Sequence, residues 1–179
     1  MEILNDYKSW LSDNKDFINL LKKNKSAIYQ RIADVFRILE HIDKVYIQEK
    51  KVDAVLEEIF EIAYSYLFDT LEEVKLYYEK YFNRDYILFR QYESLINYIL
   101  YLEDVKNSLI DNKQLTDENR QILDEILEEC DQYLNSKKPY KIEVLEQYND
   151  KLDAYFGDSK VLTMLEVFDR IYEELMIEK

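Results

Sequence analysis

Glycine, proline, histidine and cysteine each occur only once in this sequence of 179 residues. Because Gly157 is the only glycine, the chain has no P-loop, no glycine-rich dinucleotide turn, no G-x-S-x-G nucleophile elbow and no glycine-bearing EF-hand loop. His41 alone cannot form a multi-histidine metal site. Cys130 has no second cysteine to pair with, which favours a reducing, cytoplasmic setting. Most common catalytic and cofactor-binding motifs are thereby excluded.

The sequence also lacks a long apolar segment. Its most apolar stretch, residues 96–102, is only seven residues long, whereas a membrane-spanning helix needs roughly 20. Residues 1–6 lack the basic and apolar regions of a secretory leader. We therefore expect a cytoplasmic protein that is not associated with a membrane.

Isoleucine, asparagine, lysine, tyrosine and phenylalanine dominate the composition. Together they account for 72 of the 179 residues, whereas glycine, alanine, arginine and proline account for 13. This skew is typical of an AT-rich genome. The abundance of tyrosine and lysine is therefore not by itself a sign of function.

Helical periodicity is the strongest pattern in the chain. Apolar residues recur at alternating spacings of three and four, which places them on one face of a helix. One such series is Ile28, Ile32, Val35, Leu39, Ile42 and Tyr46. The strict alternation that strands need is almost absent. The sequence therefore predicts an all-α protein, with helices near 2–11, 13–23, 27–49, 53–82, 86–111, 117–134, 142–156 and 160–177.

These helices are expected to form a single helical bundle of about seven or eight helices in one domain, residues 1–179. Two long helices, 53–82 and 86–111, are predicted to lie antiparallel at its centre, because the second is apolar on most sides. The loop 136–141 precedes a C-terminal helical hairpin. An alternative interpretation sets residues 1–51 apart as an N-terminal sub-bundle.

Helix ends are predicted from side chains that cap the backbone. Short polar residues accept hydrogen bonds from first-turn N–H groups, and the predicted N-caps are Ser12, Ser26, Asp85, Thr116 and Ser159. Asparagine tolerates the left-handed conformation that usually follows a helix. The residues predicted there are Asn24, Asn83, Asn112, Asn135 and Gly157.

Acidic residues outnumber basic ones by 38 to 24, which gives a net charge of −14. Residues 1–51 carry +2 and residues 52–179 carry −16, so the acidity belongs to the last two-thirds. In the helix 117–134, seven acidic side chains are opposed only by Arg120. Such a helix presents either an ordinary solvated face or a surface that attracts a basic partner. Direct nucleic-acid binding is not expected, because it requires a net basic surface.

Reactive side chains are few and poorly placed for catalysis. Arg37 and His41 lie one helical turn apart and could act together on RNA. Paired glutamates such as Glu57 and Glu61 lack the two Glu-x-x-His motifs of carboxylate-bridged metal centres. Cys130 continues an apolar series and has acidic neighbours that disfavour a thiolate. We therefore predict no catalytic, cofactor-binding or metal site.

The candidate partner-binding residues combine tyrosine with acidic side chains. Nine of the 17 tyrosines lie between residues 64 and 101, and some are expected at the surface because they fall on more than one helix face. Tyrosine provides a large contact area at low entropic cost. The predicted binding set is Tyr77, Tyr78, Asp124, Glu125, Glu128, Glu129 and Asp131.

Three functional hypotheses follow from the sequence. The leading hypothesis is a non-enzymatic acidic protein that binds a basic protein stoichiometrically, in the way immunity proteins, antitoxins and phage anti-defence proteins act on nucleic-acid-binding targets. The second is a self-associating bundle, a homo-oligomer that buries extra apolar stripes against its copy. The third is an RNA-acting enzyme that uses Arg37 and His41.

Overall fold

The computed structural model describes residues 1–156 and 162–177 of the chain. Within these ranges there are nine α-helices and no strand, which confirms the all-α prediction. The helices are α1 (Glu2–Asp13), α2 (Lys15–Lys23), α3 (Ala27–Glu49), α4 (Ala54–Leu76), α5 (Tyr86–Gln91), α6 (Glu93–Asp111), α7 (Asp117–Ser136), α8 (Glu143–Phe156) and α9 (Met164–Ile177). A π-helical turn, Tyr77–Tyr81, extends α4.

The described helices belong to two compact units. The first unit is Met1–Lys75 with the described residues from Leu165 onward, and it therefore contains α1 to α3, nearly all of α4, and α9. The second unit lies within Leu76–Met164 and contains the π-helical turn and α5 to α8. A single domain over residues 1–179 stays a prediction.

The core of the first unit is built from the face of α3 that the periodicity predicted. Ile28, Ile32, Val35, Leu39 and Ile42 are all buried. Aromatic rings from α1 and α4 pack edge to face, a favourable geometry for ring quadrupoles. The contacting pairs include Tyr7 with Phe60 and Tyr7 with Tyr64, each with ring centroids 5.5 Å apart, and Tyr66 with Phe168 of α9 at 5.3 Å.

The second unit is centred on α6, which is buried on more than one side. Its buried apolar residues are Leu95, Ile96, Tyr98, Ile99, Leu100, Leu102, Val105 and Leu109. The apolar stripe of α7 packs against this helix, and α8 adds Tyr148 and Leu152 to the core. The acidic residues of α7 consequently lie on the opposite side of that helix, toward solvent.

The prediction of one continuous helix over 86–111 is wrong, because the helix breaks at Tyr92 into α5 and α6. The break leaves a carbonyl at Gln91 and an N–H at Leu95 without helical partners. The hydroxyl of Tyr140 donates to the Gln91 carbonyl at 3.3 Å and accepts from the Leu95 N–H at 3.2 Å. A residue from the connection between α7 and α8 therefore stabilises the break.

Three of the predicted N-caps are confirmed. Ser26 accepts from the N–H of Ile28, Asp85 from that of Leu88 and Thr116 from that of Asn119, each at 3.1 Å. Ser12 is not a cap, because it lies inside α1 and α2 begins after Asn14. Ser159 and Gly157 lie outside the described residues.

Most of the predicted left-handed positions are shifted by one or two residues. Asn24 ends α2 and Asn112 ends α6, but both are right-handed, with φ of −91°. Their side-chain amides donate to the carbonyls four residues earlier at 2.7 and 2.8 Å. The left-handed residues at these two helix ends are the lysines that follow, Lys25 and Lys113. Asn135 lies inside α7. Asn83 alone is left-handed as predicted, with φ of 50°.

Candidate functional site

The acidic residues of α7 form a continuous exposed surface. Thr116 caps the N-terminus of α7 and so determines where this surface begins. Within it, Ile122, Leu123, Ile126, Cys130 and Leu134 are buried. The acidic residues predicted to bind a partner are all exposed between these positions: Asp124, Glu125, Glu128, Glu129 and Asp131. We call this surface, together with Asp117 and Glu118 in the first turn, the α7 acidic face.

Neighbouring helices hold parts of this face in place. Lys106 of α6 contacts Asp124 at 2.7 Å, and Lys151 of α8 contacts Glu125 at 3.6 Å. The hydroxyl of Tyr148 is hydrogen-bonded to Glu129, and burial together with that carboxylate raises the pKa of Tyr148.

The α7 acidic face retains a negative charge despite these contacts. It contains seven acidic residues, and the basic residues that accompany them are Arg120, Lys106 and Lys151. Glu128, near its centre, is exposed and forms no ion pair with any residue in the described ranges. Exposed ion pairs contribute little to stability, so the two contacts to Lys106 and Lys151 add little to the stability of the second unit.

A groove beside the α7 acidic face contains a tyrosine that the sequence did not single out. The groove has a volume of about 310 Å³ and is lined by Glu118, Gln121, Ile122, Glu125, Lys151 and Tyr155. Tyr155 is 55% exposed. Its spacing from the buried residues Tyr148 and Leu152 continues a 4, 3 series, which predicts burial rather than exposure. No pattern in the sequence therefore distinguishes Tyr155 from a core tyrosine.

The two tyrosines in the predicted binding set are largely packed into the second unit. Tyr77 is only 8% exposed, and its ring lies 5.4 Å from that of Tyr81. Tyr78 is half-buried and contacts Phe89, with ring centroids 5.3 Å apart. Both rings contribute to the π-helical turn and its packing, whereas Tyr155 offers the more accessible aromatic surface.

Cys130 is buried, and its surroundings keep it a thiol. Burial, reinforced by the charges of Asp131 and Glu129, raises its pKa to about 12. The thiolate is the nucleophilic form of cysteine. Cys130 is therefore unreactive near neutral pH and serves as a small core residue.

Arg37 and His41 lie one turn apart on α3, but Arg37 is already engaged. Its guanidinium forms an ion pair with Asp34 and lies 5.9 Å from the ring centre of Tyr172. His41 is half-buried at the edge of a groove formed with α4 and α9. Arg37 therefore contacts residues of both α3 and α9, while 55% of its side chain stays exposed.

Acidic side chains meet at a second place, between α3 and α9. Asp169 is exposed, but partial loss of hydration raises its pKa, and so do a hydrogen bond to Asp34 and the charges of Asp34, Glu173 and Glu166. A carboxyl group beside a carboxylate holds a proton more tightly than usual. Even so, no group of three or more histidine, cysteine, aspartate or glutamate side chains in the described ranges is arranged to hold a metal ion.

Comparisons with other proteins add no family to this description. The sequence matches no protein-family model, and no match was found among curated proteins or solved structures. None of the helices in the described ranges has both the length and the apolar character needed to cross a membrane. The fold therefore defines the class of this chain as all-α.

Proposed function

We propose that this chain is a non-enzymatic acidic protein that binds a basic protein stoichiometrically through the α7 acidic face. The observation that carries the proposal is the exposure of all five predicted acidic residues along one helix whose opposite side is buried. Complementary charge steers association and selects partners. A stoichiometric inhibitor of a basic, nucleic-acid-binding protein fits these properties.

Two further features support a binding protein over an enzyme. Arg37 is paired with Asp34 and lies against Tyr172, and these contacts compete with any contact to RNA. The raised pKa of Cys130 removes the thiol as a nucleophile. A cytoplasmic location is part of the proposal and rests on Cys130 being the only cysteine.

The groove with Tyr155 supplies the apolar component of the proposed surface. Tyrosine is enriched at binding hot spots, and hot spots combine a large buried contact with polar surroundings. Tyr155 lies beside Glu118 and Glu125, which can pair with lysine or arginine side chains of a partner. The proposed binding surface is therefore the α7 acidic face together with Tyr155.

Affinity capture from cells of the source organism tests this function. The tagged protein is compared with Glu128→Lys/Asp131→Lys, which reverses two charges on the α7 acidic face. The matched control is Glu58→Lys/Glu61→Lys on α4, which has the same net charge and alters exposed positions.

We expect a basic protein in a 1:1 complex with the wild type and the control, and its loss from the α7 variant. Absence of any basic protein from the wild-type eluate would refute the proposal. Equal capture by both variants would also refute it.

A further inference from the structure

The first unit contains an open groove between α3, the start of α4, and α9. Its volume is about 530 Å³, within the range of roughly 300–1,000 Å³ typical of ligand pockets. The apolar lining residues are Val45, Val55, Leu56, Ile59, Ile171 and Leu175. Val55 is 65% exposed, so apolar surface remains in contact with water at the mouth of the groove.

The rim of this groove is acidic. Glu49 ends α3, Asp53 precedes α4 and Glu174 lies on α9, and all three are exposed. No lysine or arginine is among the described residues that line the groove. Lys50 and Lys51 follow Glu49 in the chain but do not line it. The groove therefore combines an apolar floor with carboxylates at its edge.

The dimensions of the groove suit a helix. Its α3 wall runs from His41 to Glu49, which is a little over two helical turns and about 12 Å. An amphipathic helix binds such a groove by placing apolar anchors at positions i, i+3 or i+4, and i+7. Basic residues beside those anchors would face the carboxylates of the rim.

We propose that this groove binds a basic amphipathic helix of a partner protein. A second copy of this chain is the poorer occupant, because each copy has a net charge of −14 and repulsion opposes its approach to an acidic rim. The groove lies in the first unit and the α7 acidic face in the second, so the two binding surfaces can be tested separately.

Fluorescence anisotropy with synthetic peptides tests the groove. The probe is a labelled 18-residue peptide of leucine, lysine and alanine, with leucine at i, i+3, i+4 and i+7. The control peptide has the same composition in scrambled order, so it keeps the charge and loses the apolar face. We expect the wild-type protein to bind the amphipathic peptide at least about tenfold more tightly than the scrambled one.

Two groove variants and one distant variant locate the binding. Glu49→Lys/Glu174→Lys reverses the charge of two rim residues, and Val55→Lys places a positive charge at the exposed mouth. We expect each to weaken peptide binding by about tenfold, whereas Glu128→Lys/Asp131→Lys on α7 leaves it within about twofold. Thermal unfolding followed by circular dichroism checks that each variant is folded.

Several outcomes would overturn the groove proposal. They are equal affinity for the scrambled peptide, loss of binding in the α7 variant instead of the groove variants, and a dimer in sedimentation that Val55→Lys converts to monomer. The last result would assign the groove to a second copy. If the α7 variant fails to capture the basic protein and no peptide binds the groove, the groove proposal is refuted. The proposed function is then still supported.

Discussion

Lysine occupies the left-handed backbone position after four of the described helices. Lys25, Lys50, Lys113 and Lys137 have φ between 50° and 61°, a conformation that costs roughly 1–2 kcal/mol for a residue with a Cβ atom. Glycine avoids this cost. The sequence could not reveal these positions by composition, because lysine is common elsewhere in the chain.

Replacing Lys137 with glycine is expected to stabilise the protein. Lys137 follows α7 with φ of 50°, and glycine removes the steric strain there while making the unfolded chain more flexible. We expect the free energy of unfolding to rise by about 0.5–1 kcal/mol in urea titrations. The control is Lys138→Gly, where φ is not positive. An equal or larger gain in the control would contradict this explanation.

Asp169 is expected to reduce stability at neutral pH. Its pKa is higher in the folded protein than in the unfolded chain, because partial loss of hydration and the adjacent Asp34 disfavour its charge. When an acid has a raised pKa in the folded state, the folded state is favoured while the acid is protonated. That advantage is lost as the pH rises through the folded-state pKa.

Asp169→Asn should therefore raise the melting temperature at pH 7. Because Asp169 is exposed and solvent screens its repulsion from Asp34, the gain should be at most about 0.5 kcal/mol, and it should vanish about one pH unit below the ordinary aspartate pKa of about 3.9. Asp69→Asn, at an exposed position of α4, is the matched control. A pH-independent gain would show that charge is not the cause.

At the scale of the helices, periodicity predicted which segments are helical but missed the break at Tyr92. The apolar series Leu88, Tyr92, Leu95 and Ile99 continues at 4, 3, 4 through the break, so local spacing favours one continuous helix. The group that stabilises the break, the Tyr140 hydroxyl, lies 45 residues from Leu95 in the chain. Local sequence patterns do not contain such a contact.

Tyr140→Phe is expected to destabilise the second unit. The substitution removes the acceptor for the Leu95 N–H and the donor to the Gln91 carbonyl, while keeping the ring packed against Tyr92. The bond to the Leu95 N–H is part-buried and that to the Gln91 carbonyl is exposed to water, so their loss should cost about 0.5–1.5 kcal/mol, the net contribution of an ordinary hydrogen bond. We expect a loss in that range by urea denaturation.

Tyr133→Phe provides the control for this change. The ring of Tyr133 lies 6.0 Å from that of Tyr140, but its hydroxyl forms no hydrogen bond with the described residues. We expect removal of this hydroxyl to lower the free energy of unfolding by less than about 0.5 kcal/mol. Similar losses in the two variants would mean that the Tyr140 hydroxyl does not stabilise the break.

At the scale of the whole chain, the charge difference between residues 1–51 and residues 52–179 does not become a charge difference between the two units. Residues 1–51 carry +2, but α4 and α9 join them in the first unit. Counted from the sequence, Met1–Lys75 with Leu165–Lys179 contains 20 acidic and 13 basic residues, and Leu76–Met164 contains 18 and 11. Each unit therefore has a net charge of −7.

The candidate site could be predicted only in part, because some of its surfaces depend on which helices pack together. The exposed acids of α7 follow from helical periodicity, because they fall between the apolar positions of one helix. Tyr155 and the groove of the first unit depend on which helices pack together, as α9 does with α3 and α4. Contacts between residues far apart in sequence decide those surfaces.

The affinity of the purified complex measures the central claim most directly. The basic protein captured with the wild type is titrated by calorimetry against wild type, Glu128→Lys/Asp131→Lys and Glu58→Lys/Glu61→Lys at about 150 mM NaCl. We predict that the dissociation constant is at least about tenfold larger for the α7 variant and changes by less than about twofold for the α4 variant. Equal dissociation constants for the α7 and α4 variants would contradict binding through the α7 acidic face.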